Sequence, residues 1–289
     1  TLFRSTPITF NEYSPDNYGS VFKGPVKAWF ALADSRNIPA IALNRDLEGR
    51  DLYDFMADSH VSLMKERNHY GLSIVLGTCE VTMLELAKMY ATLSNNGIQK
   101  EVTSVYAAKK DTGKRLLTSE SSFIVRKMLE ENVPPYQQKP QELSDVKIAY
   151  KTGTSIGFKD SWSVGIFDRY ILVVWIGNFD GHGNNSFLGR TMAAPLLFNL
   201  VYHLLSEIPP DQQLKPEIPP KNAVQVKVCA VSGAIPTDAC EETEWTWFIP
   251  GVSPITSCKI HRKINIDTRT GYRTDDFGKP YIKTVVREF

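Results

Sequence analysis

The sequence predicts an α+β fold, with an antiparallel sheet flanked by helices and then a small all-β domain. Three observations predict it. Three runs rich in β-branched and aromatic residues fall between positions 148 and 176, and the last two are separated by only two residues. Apolar residues recur at helical spacing on either side of those runs. Past a proline cluster near position 210, the apolar pattern changes to period two.

Taken in chain order, Gly24-Pro-Val-Lys-Ala-Trp-Phe-Ala-Leu-Ala33 reads as a helix whose Pro25 suits a first turn. Val81, Leu84, Leu86, Ala87, Tyr90, Ala91 and Leu93 share a helical face, and Asn96-Gly97 supplies a left-handed stop. A further helix opens near Ser119 or Ser121 and carries Ile124, Val125, Met128 and Leu129 on one side. The strands are expected at 148–152, 162–167 and 170–176, with Asp168-Arg169 as a tight hairpin turn. A third helix, from about Met192 to Leu205, is apolar enough to be buried.

Pro209, Pro210, Pro216, Pro219 and Pro220 can neither continue a helix nor enter a central strand, so residues 208–220 are assigned as a linker between domains 1–207 and 221–289. In the second domain Val224, Val226 and Val228, then Trp245 and Trp247, then Ile264 and Ile266 alternate as in strands, and a Thr268–Gly271 turn follows. The tryptophan pair could bind a partner or sugar, but domain core is the preferred reading.

Composition narrows the function classes. With 33 basic and 32 acidic residues the net charge is +1, which lacks the electrostatic footprint of nucleic-acid or anionic-membrane binding. The densest apolar run, Tyr170–Ile176, is strand-sized, so no membrane contact is expected of this segment. The chain starts at Thr1 with no leader pattern, and is expected to be a processed product or a fragment.

The most informative segment is Lys151-Thr152-Gly153-Thr154-Ser155, at a predicted strand end. A Lys-Thr-Gly triplet alone is more often a turn. A second element, Ser35-Arg36-Asn37, follows the first predicted helix, where on its own it reads as a capping pair. The order Ser-x-Asn then Lys-Thr-Gly resembles the penicillin-binding proteins and serine β-lactamases. Tyr13-Ser-Pro-Asp-Asn-Tyr18, Gly24-Pro-Val26, Ala31–Ala40, Tyr70–Gly77, Tyr90–Gly97 and Val174-Trp-Ile-Gly-Asn178 resemble the class A, bifunctional members. The tail resembles the C-terminal domain of the penicillin-binding protein 1C group through Val228-Cys-Ala-Val-Ser-Gly233, Cys240, Phe248-Ile-Pro-Gly251 and Cys258-Lys-Ile-His261.

The resemblance implies a peptidoglycan DD-transpeptidase that cross-links stem peptides through a serine acyl-enzyme, on the periplasmic face of a bacterial inner membrane, with β-lactams as donor mimics. It implies no cofactor, and leaves room for cell wall protein partners on the C-terminal domain. Such chemistry needs a nucleophile, a proton path to the leaving amine, oxyanion donors and a carboxylate clamp. Lys151, Thr152 and Thr154 would clamp the carboxylate, and Ser155 extends that binding segment. Gly153 would leave the strand bare for an added peptide strand, and the Thr154 amide would face the oxyanion. Ser35 would relay the proton, and Asn37 would hold a substrate carbonyl and orient the lysine of the nucleophile motif. A carboxypeptidase or β-lactamase-like hydrolase, and a non-catalytic scaffold, are the alternatives.

The family's acylated serine belongs to a Ser-x-x-Lys motif ahead of Ser-x-Asn. Ser20-Val-Phe-Lys23 lies too close to Ser35, and Ser62-Leu-Met-Lys65 comes after it in what reads as an exposed face. The nucleophile and a glycosyltransferase half are therefore expected upstream, with the transpeptidase fold incomplete at its N-terminus and this segment alone inactive.

Cys79, beside a helix start, is read as a small core residue. Cys229, Cys240, Cys258 and His261 form a complete tetrahedral donor set, but the first pair is far more widely spaced than a compact zinc knuckle. A disulfide or free thiols is the preferred reading, with zinc as the alternative.

Overall fold

The computed structural model describes residues 2–10, 13–47, 49–105, 111–135, 146–209, 211–212 and 217–288. Two compact units divide the chain, one running from Phe3 to Pro220 and the other comprising Thr1–Leu2 and Lys221–Phe289. Of the linker prolines, Pro210 and Pro216 lie outside the described residues.

The first unit opens with β1 (Leu2–Ser5) paired to β2 (Gly24–Lys27), and α1 (Ala28–Ala33) and α2 (Asn37–Asp46) follow. The helix expected over 24–33 therefore starts four residues late. Gly24 takes a φ of +66°, and Pro25, which lacks an N–H, is tolerated in a two-stranded edge ribbon. Next come α3 (Leu52–Asp58), α4 (Arg67–Tyr70) and α5 (Met83–Ser94). A capping box between Thr82 and Glu85 fixes the start of α5, with reciprocal hydrogen bonds of 3.2 and 2.8 Å. The expected stop is present, with Asn96 at φ +54° and Gly97 at +84°. A short ribbon, β3 (Ile98–Gln99) with β4 (Lys114–Arg115), precedes α6 (Ser119–Glu130), which is capped by the Thr118 side chain on the Ser121 amide.

The central sheet is antiparallel, β5 (Ala149–Thr154), β6 (Asp160–Phe167) and β7 (Tyr170–Gly177) in that order. Lys151 pairs with Val164, Gly153 with Trp162 and Phe167 with Tyr170, so Asp168-Arg169 is the hairpin turn expected. One turn of π-helix, Gly189–Ala193, leads into α7 (Ala194–Glu207). Alternation along β5 sends Tyr150 into a core with Phe167, Val174, Leu197, Phe198 and Val201, beneath α7. Ala149 points the other way, packing with Ile166 and Leu129 under partly buried Leu32, Tyr90 and Val125 of α1, α5 and α6. The sheet is thus sandwiched between two helical layers, the α+β arrangement read from the sequence. A separate cluster of Met56, Val61, Tyr70, Ile74 and Cys79 holds α3 and α4 together.

The second unit contains two hairpins, β8 (Val224–Cys229) with β9 (Thr243–Phe248), and β10 (His261–Asp267) with β11 (Ile282–Glu288). Strand β11 has no counterpart in the sequence reading. Trp245 is 64% exposed, which corrects the expectation that it is domain core: its partner across the ribbon is the charged, flexible Lys227, while Trp247 two residues on is half-buried.

Candidate active site

Ser35 occupies the tight link between α1 and α2. Its backbone is left-handed, with φ of +51°, a conformation that costs a non-glycine residue about 1–3 kcal/mol and persists only where neighbours hold it. Those neighbours are identifiable. The Ser35 amide donates to Leu32 O at 3.2 Å, and the Arg36 amide to Ala31 O at 2.9 Å. The Arg36 guanidinium grips the Asp34 carboxylate and donates to Val21 O at 2.9 Å.

Asn37 is the first residue of α2. Its amide nitrogen Nδ2 donates to Asp16 O at 2.7 Å, and its backbone N–H donates to Asn17 Oδ1 at 3.1 Å. Asn17 is itself buried and donates to Ser5 Oγ and Val21 O, each at 3.1 Å. The Tyr13–Tyr18 segment therefore acts as a bracket that fixes the start of α2.

Lys151 sits on the β5 face shared with Ala149, and that alternation aims it toward the α1–α2 link. Its ammonium donates to Ser35 Oγ, and to Thr152 O at 3.0 Å. Two motifs 116 positions apart thus meet through one hydrogen bond. Burial pushes the Lys151 ammonium down to about 8, the nearby Arg190 guanidinium pushes in the same direction, and Asp34 opposes them.

Thr154 lies on the opposite face of β5, and its Oγ1 accepts the Gly189 N–H at 2.9 Å. An oxygen engaged as acceptor leaves its own proton to donate outward. The close approach depends on Gly189, because a Cβ there would stand 2.4 Å from Gly153 O and 2.8 Å from Trp162 O. Gly153 is exposed, and a Cβ at that position would meet only Trp162 Cβ at 3.5 Å. Ser155 is engaged within the hairpin, with its Oγ accepting the Asp160 N–H at 2.8 Å and its own N–H reaching Asp160 O at 3.0 Å. Among the described residues β5 has a strand neighbour, β6, on one side only.

The root of β5 is equally fixed. The Tyr150 hydroxyl donates to Val133 O at 2.5 Å, and its ring stands edge-on to Phe198 at 4.8 Å. Burial pushes that phenol up to about 12.

The two Ser-x-x-Lys matches are committed elsewhere. Ser20 donates to Asp16, while Lys23 pairs with Asp34 at 3.4 Å and lies over the Phe30 ring. Ser62 is in an exposed turn whose N–H donates to Glu85 Oε1 at 2.6 Å, and Lys65 Nζ is 3.4 Å from His69 Nε2. Sequence reasoning singled out the segment that holds Asn17 without its bracing role, and missed Gly189 and Arg190, since no motif spacing joins them to Lys151. In the second unit the structure contains no disulfide; Cys229, Cys240 and Cys258 are free thiols gathered around His261.

The model of the penicillin binding protein transpeptidase domain matches residues 5–192, and that of the penicillin-binding protein 1A C-terminal domain matches residues 219–263. Penicillin-binding protein 1C of Escherichia coli is 27% identical over 89% of this chain and 33% of its own length, and penicillin-binding protein 1A of Clostridium botulinum is 26% identical over 98% and 37%. The chain thus spans about a third of the length of these curated relatives. Among solved structures, penicillin-binding protein 1A from Haemophilus influenzae superposes with a TM-score of 0.71 at 19% identity, covering 89% of this chain and 45% of that one. The PonA1 protein of Mycobacterium tuberculosis in complex with penicillin V gives a TM-score of 0.59 at 20% identity, over 75% of this chain and 66% of that one. The chain belongs to the penicillin binding protein transpeptidase domain family.

Proposed function

We propose that residues 3–207 form one wall of a serine DD-transpeptidase site that cross-links peptidoglycan stem peptides. The observation that carries this reading is the Lys151–Ser35 hydrogen bond beside a strand edge that has no neighbour among the described residues. A donor peptide lies along β5 as an added strand, with its terminal carboxylate drawn to the paired positive charges of Lys151 and Arg190 and hydrogen-bonded by Thr152 and Thr154. The Thr154 N–H stabilises the oxyanion. Ser35 passes a proton to the departing amine, and Lys151 keeps its hydroxyl oriented for that transfer. Asn37 holds a substrate carbonyl. Ser155 serves by closing the hairpin, which sets the height of Thr154 above the π-turn.

The acylated serine comes from chain outside these 289 residues, because the Ser20 hydroxyl is bonded to Asp16 and the Lys65 ammonium of the Ser62 match stands against His69. The resolving nucleophile is an amine from a second stem peptide, and the reaction takes place at the periplasmic face of the inner membrane. Labelling the parent protein with fluorescent penicillin tests this reading. Lys151→Ala and Ser35→Ala should each slow labelling on the order of 10²-fold or more without loss of folding. Unchanged rates would remove both residues from the site.

A further inference from the structure

The second unit contains a site that the transpeptidase reading does not use. Cys229 closes β8, Cys240 and Cys258 lie in the loops before β9 and β10, and His261 opens β10. Wide sequence spacing disguises a compact cluster, in which all four donor atoms lie within 4.8 Å of one another. Cys229 Sγ is 3.7 Å from Cys258 Sγ, and His261 Nδ1 is 3.3 Å from Cys229 Sγ and 3.5 Å from Cys258 Sγ. A tetrahedral zinc with bonds of about 2.3 Å to sulfur and about 2.0–2.1 Å to nitrogen requires S···S near 3.8 Å and S···N near 3.6 Å. The three spacings among Cys229, Cys258 and His261 lie close to those values, and Cys240 stands within 4.8 Å of each of them, whereas a disulfide would need its sulfurs at about 2.05 Å.

The surroundings are built for thiolates. The Ser232 N–H points to Cys229 Sγ at 3.5 Å from a turn closed by the Gly233 N–H on Cys229 O, with Gly233 at φ +66°. The Thr237 N–H points to Cys240 Sγ at 3.3 Å. Backbone donors of this kind orient metal-bound sulfurs and share their charge.

The buried apolar core of the unit is small. Its fully buried apolar residues, among those described, are Ala223, Val228, Cys229, Ala239 and Cys258. Two of these are the cysteines themselves and two are alanines, so a single valine is the only large side chain in the core. Two separate two-stranded hairpins of this size are marginal without a staple.

We propose that Cys229, Cys240, Cys258 and His261 bind one structural zinc ion that ties the β8–β9 hairpin to the β10–β11 hairpin. Four protein ligands complete the tetrahedron, so the ion has no open position for a water or substrate. Metal loading and folding of this unit are then one event.

The test uses the whole 289-residue chain, purified under reducing conditions without chelator, with zinc measured by elemental analysis. The result expected is stoichiometric zinc that cobalt can replace, giving the absorption of a tetrahedral thiolate site. Chelation should open residues 221–289 to protease while residues 3–220 stay resistant. His261→Cys, which preserves a four-ligand set, should retain the metal, and His261→Ala should lower zinc affinity at least tenfold. A reduced wild-type chain that binds neither zinc nor cobalt would overturn the proposal. So would a Cys229–Cys258 disulfide in the chain isolated without reductant, or protease resistance unaffected by chelation.

Discussion

Lys151 is held by opposing forces. Burial and the Arg190 guanidinium disfavour its charge, and Asp34 favours it, leaving the ammonium to titrate at about 8 rather than at its ordinary 10.5. Because the folded value is the lower one, the unfolded chain binds more protons between about pH 8 and 10.5, and Lys151 destabilises the fold below that window and ceases to do so above it. Function should run the other way. If the charged ammonium captures a carboxylate, penicillin acylation of the parent protein should fall as pH rises through about 8. Arg190→Ala removes a like charge and should move that alkaline limb to higher pH, a shift that a merely structural arginine would not cause. A pH–rate profile of wild type and variant checks this, and a limb that stays put or moves downward would contradict it. At this scale the sequence displayed Lys151, Thr152, Gly153, Thr154, Ser35 and Asn37 as motif letters. It could not display Arg190, whose influence on Lys151 exists only because the π-turn folds against β5.

Strands β5 to β7 and helices α5 to α7 were readable because burial on one face imposes a period on the sequence, and Thr82, Thr118 and Gly97 mark their ends with capping and turn chemistry. The reading failed where a local signal is ambiguous. Pro25 serves a first helical turn or a ribbon edge equally well, and the β1 pairing that decides between them comes from residues 2–5. Gly189 shows the same limit. Nothing beside it in sequence says that a backbone carbonyl will lie where its Cβ would be. Gly189→Ala should therefore push the π-turn off β5, destabilise the first unit by about 1–3 kcal/mol and free the Thr154 hydroxyl. Urea unfolding measures the first effect. A variant as stable as wild type would show that the turn has room to move.

At the scale of the whole molecule, the site is assembled from three stretches far apart in the chain: the Tyr13–Tyr18 bracket with Ser35 and Asn37, the Lys151–Thr154 strand, and the Gly189–Arg190 turn. Their order was legible and their contacts were not, since order is a property of sequence and contact a property of the fold. The tail shows the difference most clearly, because a spacing that argued against a metal knuckle becomes a four-donor cluster once loops and strand ends converge. In the proposed reaction this chain provides the clamp and proton relay of an acylation site whose nucleophile lies elsewhere. Mapping the adduct after the parent protein reacts with penicillin tests it most directly. The expected product is a penicilloyl group on a serine of a Ser-x-x-Lys motif preceding this chain, formed more slowly in Lys151→Ala. An adduct on Ser20, Ser35 or Ser62, or none at all, would contradict it.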